Sequence, residues 1–114
     1  MKYYFEKNLK IINELMTYLY KLGSKNIQVN LHRDEAKTSF LISGEVPNID
    51  DTELNRLKAI LNTQRQHEVE EYYWHLGGES DAEGELSLVG MMIDNVDIYY
   101  NNDILKLEIQ RNDF

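Results

Sequence analysis

The apolar residues of this chain change their spacing from one stretch to the next, and that succession limits the fold more than any other property of the sequence. Leu9, Ile12, Leu15, Met16, Leu19 and Leu22 recur every three or four residues, the period of a helix with one buried stripe, and Gly23 closes the stretch. The spacing then falls to two. Ile27, Val29 and Leu31 alternate, Phe40, Leu41 and Ile42 form a short apolar run, and the charged link at 33–37 is short enough for a hairpin. After Pro47 the helical period returns: Asp50 can cap a helix, Glu53 can reach back to the Asp50 amide, and Ile49 can staple onto Leu54. Leu54, Leu57, Ile60 and Leu61 carry the buried side of this helix. Beyond a polar break at 62–66, Val69, Tyr72, Tyr73 and Leu76 continue a second stripe, either in one long helix or in two. Residues 77–85 are rich in glycine and acid and have no period, so they predict an exposed loop, and 86–93 predict a short apolar helix. Val96, Ile98 and Tyr100, then Leu105, Leu107 and Ile109, alternate around the turn residues Asn101, Asn102 and Asp103, which predicts a second hairpin.

Helix, two strands, one or two helices, a short helix and two strands make an α+β domain: a four-stranded, mainly antiparallel sheet with its helices gathered on one face. At 114 residues the chain is one domain, 1–114, able to bury about 65% of its unfolded surface around one core. Twenty acidic residues against twelve basic ones give a formal charge of −8, which repels nucleic acid and anionic membrane surfaces. The absence of cysteine removes disulfides, thiolate nucleophiles and cysteine-based metal sites and suits a reducing compartment. No apolar run approaches the roughly 20 residues a membrane helix needs and the N-terminus has no signal-like core, so the expected location is the cytoplasm.

Three stretches carry a resemblance to a known family. Asn13-Glu14-Leu15-Met16-Thr17 is similar to a helix motif in which a glutamate is followed four residues later by an asparagine. Residues 86–96, running from Leu86 through Asp94 to Val96, resemble a helix that leads into an aspartate and a strand. Ile104 to Arg111 resemble a closing strand with alternating leucines and a late basic residue. Together with the order of elements, these resemble the histidine-kinase-type ATPase fold, in the compact form of the bacterial anti-sigma-factor kinases. The resemblance implies a nucleotide cleft, and this sequence departs from the family's pattern at each of its contacts. The position matching the metal-holding asparagine is Tyr18, a phenol with little capacity for magnesium. The stretch matching the first glycine box, Ile42-Ser43-Gly44-Glu45-Val46, lacks the adenine-binding aspartate. The second glycine box aligns with Glu83-Gly84-Glu85, whose carboxylates would repel a polyphosphate. The resemblance therefore implies a degenerate member with a vestigial cleft at Glu14, Tyr18, Ser43, Glu83 and Glu85, and no cofactor.

Other residues suggest other chemistry. His67, Glu71 and His75 lie four apart and share a helical face, a spacing able to hold a divalent metal and common on acidic helix surfaces. Seven acids fall between Glu68 and Glu85 with no lysine or arginine among them, an arrangement that is a solvated face or a docking surface for a basic partner. Of the aromatic residues beside them, Tyr72 and Tyr73 are expected in the core, leaving Trp74, with Glu79 and Asp81, as the candidate partner contacts. No nucleophile motif accompanies the three histidines, so no catalytic residue is assigned. The expected function is that of a non-catalytic regulatory or adaptor protein that binds another protein. The alternatives are a small active ATP-binding kinase or ATPase with divergent motifs, and a small-ligand or metal-binding module in the former cleft. The 96–109 hairpin also offers a sheet edge for pairing with a second copy.

Overall fold

The chain is seen in a computed structural model that describes residues 3–74 and 82–113, with the backbone alone for Tyr73 and residues 82–85. Its elements run α1 (Tyr4–Lys21), β1 (Ile27–Asp34), β2 (Lys37–Glu45), α2 (Asp51–Leu61), α3 (His67–Tyr73), α4 (Ala82–Met92), β3 (Asn95–Asn101) and β4 (Ile104–Asn112). The strands form one fully antiparallel sheet in the order β1-β2-β4-β3, so the two hairpins meet at the β2–β4 seam. The expected α+β architecture is present, and the stretch after Pro47 contains two helices, α2 and α3. The fourth helix starts at Ala82, earlier than the glycine and acid content suggested, so the backbone of Glu83, Gly84 and Glu85 is helical rather than looped.

Alternation assigns the faces of the sheet. On β2, Thr38, Phe40, Ile42 and Gly44 are buried, and on β4 so are Leu105, Leu107, Ile109 and Arg111, while the residues between them are exposed or half-buried. The inner face packs against Ile11, Leu15 and Leu19 of α1, Leu57 and Leu61 of α2, and Leu86, Val89 and Met92 of α4. The β3–β4 turn is two residues long with Asn102 and Asp103 both at positive φ, the twist-matched geometry that these residue types accept best. Asp50 caps α2 as expected, its Oδ1 accepting from the Glu53 amide at 2.8 Å, but the Glu53 carboxylate bonds Tyr18 and Arg56 instead of reaching back.

The buried side of α1 differs from the apolar stripe read in the sequence. Leu15 and Leu19 are buried, but Leu9 and Met16 are exposed, and Lys7, Asn8, Glu14 and Tyr18 occupy the inner face beside Ile11. Polar residues can take these places because each finds partners there. The Lys7 ammonium reaches Glu70 at 3.0 Å and also pairs with Glu71, while the Arg111 guanidinium donates to Glu70 at 2.8 Å and to the Met92 carbonyl at 2.6 Å. Arg65 donates to Glu70 at 3.1 Å and to Asp94 at 2.8 Å. Burial pushes the Glu70 carboxyl up, but the hydrogen bond and charge of Arg111, with Lys7 and Arg65, outweigh it, and the group sits below its ordinary 4.5.

Two predictions follow from this packing. A Cβ at Gly90 of α4 would lie 2.4 Å from the Ile60 carbonyl oxygen, so Gly90→Ala is expected to force α2 and α4 apart and cost about 1–3 kcal/mol in urea unfolding. Because the folded pKa of Glu70 is depressed, its stabilisation is present above the unfolded value near 4.5 and is lost as pH falls through the folded value. Glu70→Gln, which leaves three buried or nearly buried cations short of a charge, is expected to cost about 3–5 kcal/mol at pH 7 and to flatten the acid limb of the stability profile.

Candidate functional site

Two places on the molecule have the concavity or chemistry a site needs, one on each face of the sheet. On the inner side, α1 delivers Glu14 and Tyr18 one turn apart, and Tyr18 reaches the start of α2. Glu14 is buried and its carboxylate accepts from Lys10 at 3.1 Å. The Tyr18 phenol, 4% exposed, donates to the Glu53 carboxylate at the start of α2, and Arg56 donates to that carboxylate at 2.9 Å. Burial, together with the bond to Glu53 and its charge, pushes the Tyr18 phenol far up. The Arg56 hydrogen bond, followed by that of Tyr18, pulls the Glu53 carboxyl down. At neutral pH the pair is therefore one donor and one ionised acceptor, matched in charge state and fixed between two helices. A phenol tied in this way occupies the space beside α1 and presents no metal ligand.

The outer face of the sheet carries an open cleft of about 690 Å³. Asn30, His32, Ser39, Leu41, Asp97, Glu108 and Gln110 line it from four strands, Asn62, Thr63 and Gln64 of the α2–α3 connection line it as well, and Phe40, Leu61, Ile93, Val96 and Ile109 of the core side add apolar lining. Its described lining has no lysine or arginine. Asp97 and Glu108 stand directly opposite each other in the β3–β4 register, a like-charge pair that disfavours the bare sheet. Both carboxylates push the exposed Tyr99 phenol up, Glu108 the more strongly. Beside the cleft, the Lys106 ammonium lies 5.6 Å from the centre of the Tyr99 ring. This surface can accept hydrogen bonds from a cationic or polyhydroxylated group, whereas a phosphate would meet carboxylates and no counter-charge.

The sequence-derived candidates fall in several places. Glu14 and Tyr18 are neighbours on the inner side, but Ser43 alternates with the buried Ile42 and Gly44 and faces outward near Tyr99 and Lys106, so the three do not line one cleft. Glu83 and Glu85 lie on a helical backbone in α4, and Glu79, Asp81 and His75 lie outside the described residues. Of the metal-binding candidates, His67 is exposed on α3 and Glu71 pairs with Lys7, and no cluster of potential metal ligands occurs among the described residues. Trp74 is not the exposed aromatic of its segment. It packs partly buried against the core with its ring 5.6 Å from that of Tyr3, while Tyr72 is 75% exposed. The reason is the helical phase of α3: burial of Glu70 turns Tyr72 outward and brings Trp74, one turn on from Glu70, back toward α1.

The outer cleft was not foreseen from the sequence, although a signal for it exists. Apart from Leu41, the residues that line the cleft from between the buried positions of the four strands, Asn30 and His32, Ser39, Asp97, Glu108 and Gln110, are polar, as expected of a sheet with one open face. No family model matches the chain, and no curated protein is significantly similar to it. Tyr18→Phe is expected to lower stability by about 1–2 kcal/mol and to raise the Glu53 carboxyl pKa toward its ordinary value, followed by NMR titration of the side-chain carboxyl.

Proposed function

We propose that this chain is a non-catalytic regulatory or adaptor domain, acting in the cytoplasm by binding another protein, on a scaffold of the histidine-kinase ATPase type whose nucleotide site has been lost. The observation that carries this reading is the Tyr18–Glu53–Arg56 arrangement. At the position where the family resemblance calls for a metal-holding asparagine, a buried phenol is hydrogen-bonded to a carboxylate. The acidic sequence Glu83-Gly84-Glu85 in the first turn of α4 supports it, because carboxylates there would repel a polyphosphate. So do the element order and the antiparallel sheet with helices on one face. No helix among the described residues is long and apolar enough to cross a membrane, and the charge of −8 opposes nucleic acid as the partner.

Calorimetric titration with Mg·ATP and Mg·ADP tests the loss of the nucleotide site. The expected result is no heat from the native chain. Micromolar binding would sink the reading in favour of an active kinase or ATPase with divergent motifs. The triple variant Tyr18→Asn, Glu83→Gly, Glu85→Gly is the companion measurement: nucleotide binding gained by it alone would tie the loss to those positions.

The outer cleft favours a second reading, a module for a small cationic or polyhydroxylated ligand. A panel of amines and sugars screened by amide chemical shifts addresses it. A saturable response at Asn30, Ser39 and Glu108 is expected on this reading, and shifts confined to other surfaces would remove it.

A further inference from the structure

An exposed flank of α1, beside the buried face, carries a second apolar line. Phe5, Leu9, Ile12 and Met16 follow one another at spacings of four, three and four, the alternating order of a heptad seam. Phe5 is 58% exposed, Leu9 45% and Met16 40%, and Ile12 sits at the margin of the core. Tyr20, 74% exposed, extends the line. Glu6 and Asn13 run along one side of it. The outward face of a surface helix ordinarily carries polar side chains, so an unbroken apolar seam here needs an occupant.

We propose that the occupant is a second copy of this chain, with the two α1 helices packed antiparallel about a two-fold axis passing between Lys10 and Ile11. In that arrangement Phe5 of one copy meets Met16 of the other and Leu9 meets Ile12. The two-fold repeats both contacts, so every member of the seam gains an apolar neighbour. Antiparallel packing also sets the two helix dipoles against each other.

Charge does not oppose the same surface. Two chains of −8 repel each other overall, but Lys7, Lys10 and Glu14 are already paired within one copy, and the exposed charges of α1 are one acid, Glu6, and one base, Lys21, so contact along it does not bring acid against acid. Area agrees. With roughly 150–250 Å² for each aromatic side chain and more than half of Phe5 and Tyr20 exposed, the seam with Tyr20 presents on the order of 400 Å² of largely apolar surface. That matches the largest patch of a typical monomer, roughly 300–600 Å² and often functional, and is about half of the roughly 800 Å² per partner in a standard interface. The edge strand β3, with Asp97 and Tyr99 along it, has no comparable apolar line.

The test is sedimentation equilibrium of the full chain across a concentration series, with circular dichroism to verify folding. The native chain is expected to approach twice 13.5 kDa. Phe5→Lys and Met16→Glu, both at sites exposed in the single copy, are each expected to raise the dissociation constant by at least about 100-fold, since each places two charges in the seam. The double variant is expected to return to within about 10-fold of the native value, because Lys at position 5 then faces Glu at position 16 of the other copy twice. The two positions are too far apart to pair within one helix. A native chain that stays monomeric to about 0.5 mM overturns the proposal. So does a dimer indifferent to both single variants, which would place the contact elsewhere, or a double variant without recovery, which would exclude the antiparallel register.

Discussion

Glu70 holds three cations at once, and the arrangement of the helices over the sheet depends on it. Its two carboxylate oxygens take Lys7 from the start of α1, Arg65 from the α2–α3 connection and Arg111 from the end of β4. These groups come from distant parts of the sequence, so the carboxylate fixes the relative positions of elements that local propensity leaves independent. A buried ion pair is a weak source of net stability, because desolvation offsets most of the Coulomb attraction. Its effect is better described as discrimination: an arrangement that moved α3 by one residue would strand a carboxylate or a guanidinium away from water. The network is not fully satisfied. Arg111 Nε and Asn8 Oδ1 are buried without a hydrogen-bond partner, a cost the surrounding core has to absorb.

Much of the architecture was legible in the sequence because it rests on short-range periodicity. Both hairpins, the capped start of α2 and the four-stranded sheet follow from alternation, turn residues and one Asp-to-amide bond, all of which act over a few residues. The errors have a common physical source. Leu9 and Met16 fit the helical period as well as Ile11 and Tyr18 do, and the choice between the two phases is made by Glu70 and Glu53, far along the chain. An apolar stripe read alone favours the leucines. The structure favours the phase in which Lys7 and Tyr18 find their acids. The same long-range choice turned Trp74 inward and Tyr72 outward.

The candidate sites were less legible than the fold. Tyr18 was identified through a resemblance to a family motif, and its role as a donor to Glu53 became visible only when the end of α1 was brought within reach of the start of α2. Ser43 failed as a companion because strand alternation puts it on the opposite face, a check that the strand pattern allowed from the start. The outer cleft is assembled from four strands and a connection that no local pattern brings together, and its polar lining reads, one strand at a time, as an ordinary solvent-facing surface.

The like-charge pair on that open face has a consequence for the life of the protein at high concentration. Two open sheets can stack face to face, and stacked sheets are the starting geometry of fibrils. Asp97 and Glu108 stand side by side at the middle of the β3–β4 ladder, so any flat stacking of two copies through this face would bring four carboxylates into a drying interface. Whatever the pair does for a ligand, it also serves as a guard against aggregation, and it lets the chain keep one side of its sheet uncovered.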